Sequence, residues 1–156
     1  MILNNSLELV TFGVADIIVG MEVCAVREIN RNVDYTPVPH APSHVRGVLN
    51  LRGEVVTSLD LREILGLRRS ETDRHSRHVI LSSDGEQFAL LVDRVEDVVL
   101  VQPDQVAPPP DNFKSLEGRF FTGICKLPDK LVALINVSEV LAVEAPAQAQ
   151  AQASAS

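Results

Sequence analysis

Residues 47–65 read GVLNLRGEVVTSLDLREIL, and residues 123–141 repeat the pattern as GICKLPDKLVALINVSEVL. At a fixed offset of 76, which sets residue 123 against residue 47, both stretches begin with glycine, share apolar positions and end in a glutamate two residues before a leucine. Upstream, VREI at 26–29 matches VEDV at 95–98 at an offset of 69. These matches indicate an internal duplication into two similar units of roughly 70 residues, each small for a stable domain alone.

Short apolar runs bounded by turn residues dominate the chain. Runs rich in Val, Ile and Leu, separated by Gly, Pro, Asp or Asn, are typical of β-strands. Asp60 and Asn136 each stand three residues before a glutamate, a spacing that predicts a helix N-cap. The sequence therefore predicts an all-β fold with a short helix after the last strand of each half. The predicted strands are 7–12, 16–21, 23–29, 45–51, 54–59, 78–82, 87–92, 95–101, 120–127 and 130–135.

The duplication predicts a single domain at residues 1–143, made of two subdomains. The polar, arginine-rich residues 68–77 are the expected linker between subdomains at about 1–67 and 78–143, and the N-terminal strand is free to pair with either. The tail at 144–156 ends in AQAQAQASAS, a low-complexity sequence that predicts disorder.

Charge and residue inventory argue against several classes of function. The chain has 156 residues and a net charge of −7, which opposes nucleic-acid binding, and its apolar runs are too short for direct membrane insertion. Cys24 and Cys125 form no CxxC pair and are expected to be buried apolar residues. GxSxG and GxGxxG motifs are absent, and His40 and His44 lie in a proline-rich loop, so no catalytic residues, metal or cofactor are expected. The chain is expected to bind partners and not to be an enzyme. The alternatives are an RNA-binding β-barrel and an enzyme whose catalytic cluster is not visible in the sequence.

The polar features that call for a function lie in the first half. Residues 50–53 (NLRG) interrupt an apolar strand pair, and Gly53 fits a tight turn or a bulge. Gly47 weakens a strand unless another backbone approaches it closely. Arg52 fits either a solvated turn residue or an interface residue with Glu28 as its charge partner. Because an exposed ion pair contributes only about 0–1 kcal/mol, a large functional defect in a folded Arg52 variant would indicate an interface.

Six motifs follow one another along the chain: VREI (26–29), HVRGVLNLRG (44–53), DLR (60–62), VDRVEDV (92–98), FTG (121–123) and LINV (134–137). In this order they resemble the CheW family of bacterial chemotaxis coupling proteins, and the resemblance covers about residues 7–143. NLRG followed by DLR is the most specific part. Thr57 departs from the pattern, since relatives usually carry proline there, and this is expected to affect a strand edge more than the choice of partner.

The resemblance implies a fold of two five-stranded SH3-like β-barrels packed together with a groove between them. Family members have no catalytic activity and bridge transmembrane chemoreceptors to the CheA histidine kinase, whose regulatory domain is itself CheW-like. The implied partners are the cytoplasmic hairpin tip of a chemoreceptor and the regulatory domain of a CheA-type kinase. The implied location is the cytoplasm, at membrane-associated receptor arrays. A gliding, pilus or developmental chemosensory pathway is the alternative setting.

The same resemblance implies which residues meet the receptor tip. Val26 and Val98 would supply apolar contact, while Arg52 and Glu28 would set the register of a bound helix. Gly123 is expected to hold the shape of the second barrel near the contact surfaces. Kinase contacts are not assigned to residues. The expected receptor-binding residues are Val26, Glu28, Gly47, Asn50, Arg52, Gly53 and Val98.

Overall fold

Strands account for most of the structure, a computed structural model that describes residues 6–108 and 120–143. The all-β fold is thereby confirmed, while the predicted disordered tail at 144–156 lies outside the described residues. The predicted helices are present as α1 (Leu61–Ile64) and α2 (Val137–Ala142). The strands are β1 (Leu7–Val14), β2 (Ile17–Glu22), β3 (Val26–Asn30), β4 (Val45–Leu51), β5 (Glu54–Asp60), β6 (Arg77–Ser83), β7 (Glu86–Val92), β8 (Arg94–Val101), β9 (Val106–Ala107), β10 (Phe121–Lys126) and β11 (Leu131–Ile135).

The strands form two sheets with one arrangement in common. The six-stranded sheet has the order β8-β1-β2-β11-β10-β9, and the five-stranded sheet has the order β3-β6-β7-β5-β4. In each sheet two antiparallel hairpins meet along one parallel pair, β2 with β11 or β7 with β5. An edge strand then pairs with the outer strand of one hairpin, β8 with β1 or β3 with β6. The shared arrangement supports the duplication read from the sequence.

The two repeated units exchange their first hairpins. Strands β1 and β2 precede residues 68–77 but pair in the sheet of β8–β11, and β6 and β7 follow those residues but pair in the sheet of β3–β5. Residues 68–77 therefore do not separate the two sheets, which corrects the expected assignment of strands to contiguous halves. The exchange has a physical reason, because a unit of roughly 70 residues buries only a marginal core alone and enlarges it by pairing with the other unit.

The main core lies between the two sheets. Its cluster joins Phe12 and Val19 of the six-stranded sheet to Leu59 and Leu90 of the five-stranded sheet, and all four side chains are fully buried. A second cluster around Leu9 packs on the other face of β1, because successive residues of a strand point to opposite faces. Apolar residues on both faces of β1 explain why its sequence is a nearly continuous apolar run.

Two turns and one short strand differ from the predicted pattern. Val23–Ala25 forms a 3-10 turn where the start of a strand was expected, and its Cys24 is exposed, while Cys125 in β10 is buried as predicted. The turn occurs because the chain passes there from β2 in one sheet to β3 in the other. Pro103–Gln105 forms a second 3-10 turn before β9. Among the described residues, no helix has the length and apolarity needed to cross a bilayer.

A buried histidine supports the five-stranded sheet. The side chain of His78 in β6 is fully buried, with Nε2 2.7 Å from the Ser58 hydroxyl and Nδ1 3.0 Å from the Asn32 carbonyl oxygen. Since a carbonyl only accepts, Nδ1 carries the proton and Nε2 accepts from Ser58. Burial, with a smaller contribution from the charge of Arg46, lowers the pKa of His78 below its ordinary 6.5, despite the bond to Asn32.

We expect the free energy of unfolding to decrease as the pH drops below about 6.5. In that range the unfolded chain binds a proton at His78 that the folded protein does not bind, which contributes a slope of at most about 1.4 kcal/mol per pH unit. Urea denaturation between about pH 7.5 and about pH 5.5 measures the slope. His78→Gln should flatten it, and the exposed-site control His75→Gln should not. A slope that His78→Gln leaves unchanged would contradict this assignment.

Candidate functional site

An ion pair joins the two edges of the five-stranded sheet. Glu28 lies in the edge strand β3 and Arg52 in the turn after β4, the opposite edge, and Arg52 Nη2 donates a hydrogen bond to Glu28 Oε2. The Arg52 side chain is 70% exposed and that of Glu28 is 29% exposed. The sheet therefore curves until its edges meet. This ion pair is one of the two alternatives that the sequence left open for Arg52, and most of its guanidinium stays exposed.

The turn that carries Arg52 holds it in an unfavourable backbone conformation. Arg52 has φ 50° and Gly53 has φ 85°, the signature of a two-residue type I′ hairpin turn. Asn50 Oδ1 accepts a hydrogen bond of 3.0 Å from the Gly53 N–H and so braces the turn. Asparagine, aspartate or glycine is usual at the first turn position, and arginine there costs about 1 kcal/mol. An exposed ion pair returns at most a similar amount, so stability alone gives no reason for arginine.

Gly47 and Gly123 occupy equivalent positions, and at each of them another backbone segment approaches closely. Each follows a bulge in its strand, β4 or β10. A Cβ on Gly47 would lie 2.1 Å from the carbonyl oxygen of Thr36, and a Cβ on Gly123 would lie 2.8 Å from that of Ala107. In each sheet, the chain that follows the edge strand (β3 or β8) crosses to the far side of the sheet and pairs there. After β3, Thr36 pairs with Val48 of β4, and after β8, β9 pairs with β10.

We expect Gly47→Ala to destabilise the protein by about 1–3 kcal/mol, because the backbone of Thr36 must move to admit a methyl group. Gly123→Ala should cost less, since the nearest backbone atom to its added Cβ, the Ala107 carbonyl oxygen, lies at 2.8 Å instead of 2.1 Å. Midpoints of urea unfolding for the two variants check this order. Equal midpoints for Gly47→Ala and the wild type would contradict the close approach.

Val26 and Val98 lie on different sheets but flank the same core. Val26 pairs with Leu81 and packs against the shared cluster, whereas Val98 pairs with Val10 of that cluster and is 57% exposed. Cross-strand partners point to the same face of a sheet, so both valines lie on the faces that enclose the shared core. The edge strands β3 and β8 therefore bring the predicted apolar contacts to the margins of the junction between the sheets.

A second ion pair, which sequence reasoning missed, mirrors the first. Asp97 in β8 aligns with Glu28 at the offset of 69, and its Oδ1 accepts a hydrogen bond of 2.7 Å from Nζ of Lys130 in the β10–β11 turn. The Lys130 hydrogen bond, helped by Thr11, lowers the pKa of the Asp97 carboxyl below its ordinary value. The repeat aligned Asp97 with Glu28 but gave no signal for Lys130, which aligns with Glu54 at the offset of 76.

A third cluster ties the two units together. Arg62 of α1 donates to both carboxylate oxygens of Asp93, with Nη2 to Oδ2 at 2.6 Å, and Asp93 Oδ2 also accepts from the Ala15 N–H at 2.7 Å. Burial alone would raise the pKa of Asp93, but the bonds from Arg62 and Ala15 outweigh it and lower that pKa. The cluster therefore joins α1 to the turns before β2 and β8. It has a structural role next to the candidate site.

The described residues at these surfaces bring together ion pairs and apolar side chains. Among residues 6–108 and 120–143, no group of three His, Cys, Asp or Glu side chains is placed to hold a metal ion. Ser58 and His78 form a serine–histidine pair, but both are fully buried and out of reach of a substrate. The side chains at these surfaces are ion pairs of the two sheets and valines beside the core between the sheets.

The sequence and the fold both match known proteins. Residues 8–145 match the CheW-like domain family. The chain is 34% identical to the chemotaxis protein CheW of Rhizobium meliloti over 143 residues, which cover 90% of this chain and 91% of that protein. It is 33% identical to the probable chemotaxis protein CheW of Rhizobium etli over 132 residues, covering 83% and 84% of the two chains. The crystal structure of scaffolding protein TtCheW from Thermoanaerobacter tengcongensis gives a TM-score of 0.77 at 28% identity and covers 86% of each chain. The chain thus belongs to the CheW-like family that its motifs predict.

Proposed function

We propose that this protein is a non-catalytic adaptor that couples transmembrane chemoreceptors to a CheA-type histidine kinase. The observation that carries the proposal is the match to the CheW-like family across residues 8–145, together with relatives named chemotaxis protein CheW. The adaptor would act in the cytoplasm, at receptor arrays. It would transmit a signal by holding two partners in a fixed geometry, and no reaction would take place on it.

The receptor-binding surface proposed here consists of Val26, Glu28, Gly47, Asn50, Arg52, Gly53 and Val98. A receptor tip that is a helical hairpin would lay one helix along an apolar groove with a polar rim, an established recognition mode. In this arrangement Val26 and Val98 flank the core at the sheet junction, and the exposed guanidinium of Arg52 meets an acidic group of the helix. Gly47 and Asn50 would act through the backbone by shaping β4 and its turn.

The kinase partner proposed here is the regulatory domain of a CheA-type kinase. A partner built from similar repeated units could dock with either sheet of this chain through related surfaces, because the two sheets share one arrangement. Single contacts of this kind are weak, and many copies in an array would strengthen the assembly through multivalency.

The test is autophosphorylation of the cognate kinase with receptor-bearing membranes, with and without this protein. We expect stimulation only when kinase, receptor and this protein are all present. The control replaces the receptor membranes with membranes that lack receptors. Absence of stimulation with an active kinase would contradict coupling in that pathway, and stimulation of a kinase from a gliding, pilus or developmental pathway would reassign the adaptor to it.

A further inference from the structure

The edge strand β8 contains a bulge held by a buried hydroxyl. The pairing of β8 with β1 jumps from Val98 opposite Val10 to Val95 opposite Phe12, so that Glu96 and Asp97 together face Thr11. Two residues opposite one define a β-bulge, which leaves ladder hydrogen bonds unmade. The fully buried Thr11 replaces them, because its Oγ accepts from the Asp97 N–H at 3.0 Å and donates to the Asp97 carbonyl oxygen at 2.6 Å.

Lys130 completes this arrangement from the turn between β10 and β11. Its Nζ lies 2.7 Å from Asp97 Oδ1, and Thr11 Oγ lies 2.9 Å from the same atom. Strand β3 has a bulge at the equivalent position, between Val26 and Glu28, but the buried residue that faces it is the apolar Ile80. Of the two equivalent bulges, only the one in the six-stranded sheet is therefore held by a side-chain hydroxyl.

The bulge decides which way Val98 points. In a regular strand, residues three positions apart, such as Val95 and Val98, point to opposite faces. The extra residue restores them to one face, the one they share with Val10 and Phe12 of the core between the sheets. Both valines are exposed there, Val95 by 38% and Val98 by 57%. A regular pairing in place of the bulge would turn one of them away, because a slip of one residue reverses the face.

We propose that Thr11 is a positioning residue of the receptor-binding surface, which it serves by holding the β8 bulge that presents Val98. The inference rests on the proposed function, since it assigns Val98 a receptor contact. Thr11 touches no partner itself. Its side chain acts from the opposite face of β1, through the backbone of Asp97.

The experiment measures binding of the full chain to receptor-bearing membranes and to the isolated kinase regulatory domain. We expect Thr11→Val, which removes the hydroxyl at constant shape, to weaken receptor binding roughly three- to tenfold and to leave kinase-domain binding unchanged. Thr11→Ser, which keeps the hydroxyl, should bind the receptor like the wild type. Thr57→Val, a matched change at a half-buried site in β5, is the control.

A double-mutant cycle separates positioning from general stability. If Thr11 acts through Val98, then adding Thr11→Val to Val98→Ala should cause no further loss of receptor binding, whereas independent effects add. Hydrogen exchange at the Asp97 amide should accelerate in Thr11→Val and not in Thr57→Val. If Thr11→Val fails to fold, Lys130→Gln loosens the same bulge from the surface and should weaken receptor binding in the same direction.

Distinct results would overturn the two proposals. The role of Thr11 is overturned, with receptor coupling intact, if Thr11→Val binds receptor membranes as tightly as the wild type does. It is also overturned if the losses in the double-mutant cycle are additive. Failure of the wild type to bind any receptor membrane, with the kinase domain still bound, overturns receptor coupling and the role of Thr11 with it.

Discussion

Replacing Arg52 by glutamate should lower kinase stimulation in the receptor-coupled assay by at least about tenfold while the protein stays folded. The change reverses the charge of a side chain that is 70% exposed and sets it beside Glu28, so an acidic group on a receptor helix would meet two like charges. The loss of the exposed ion pair itself costs only about 0–1 kcal/mol of stability. Circular dichroism and urea unfolding check the fold, and autophosphorylation measures the coupling.

Two further variants isolate the guanidinium from the ion pair. Arg52→Asn places a residue that tolerates positive φ in the type I′ turn, so stability should hold or rise by about 1 kcal/mol while coupling still falls. Glu28→Arg combined with Arg52→Glu restores the ion pair with reversed charges. If coupling recovers in the swapped protein, the pair serves only the fold, and Arg52 does not meet a partner. We expect no recovery.

Replacing Asp60 by alanine should destabilise the protein by about 3–5 kcal/mol, the largest effect on stability that we expect for a single side chain. Asp60 Oδ2 accepts a hydrogen bond of 2.8 Å from Nε of Arg46, and the two side chains are only 2% and 7% exposed. The guanidinium also donates to the Ser70 carbonyl oxygen at 2.7 Å and to the Tyr35 hydroxyl at 3.2 Å. Without Asp60, the buried positive charge would have no counter-charge within salt-bridge distance among the residues that the structure describes.

The repeat supplies a matched control for this change. Asn136 is the counterpart of Asp60 in the second half of the chain, 76 residues later. It caps α2 by accepting a hydrogen bond from the Glu139 N–H, and Asp60 caps α1 by accepting one from the Arg62 N–H. Because Asn136 is not ion-paired to a buried arginine, Asn136→Ala should cost only about 1 kcal/mol, the usual value of a cap. Urea unfolding of both variants measures the difference. Equal losses would contradict a dominant contribution from the Arg46–Asp60 pair.

Local patterns predicted much of this molecule correctly. Short apolar runs bounded by turn residues located ten of the strands to within a few residues, and the cap-to-glutamate spacing located both helices. The sequence offered Glu28 as a charge partner for Arg52 beside the alternative of a solvated turn, and the structure contains the ion pair. Strand positions and helix caps depend on residues close together in the sequence, so they can be predicted without knowing which strands pair.

The exchange of hairpins could not be read in this way. Periodicity shows that β1 and β6 each have apolar faces, but not which sheet each one joins, since both sheets offer an equivalent edge. The bulges in β3 and β8, and with them the direction of Ile29 and Val98, are equally invisible in the sequence, because a bulge is defined by the strand opposite.

The sequence by itself determined the family, the all-β class, the duplication and the helix caps, and it left the Glu28–Arg52 pair as one of two alternatives. The tertiary structure alone decided that the two units interlock, that Thr11 holds the β8 bulge, and that Lys130 pairs with Asp97 across the six-stranded sheet. The physical reason is that these features arise from strand pairings between residues far apart in the chain. Such pairings are selected by the burial of a core that both units share, and no stretch of sequence carries that information locally.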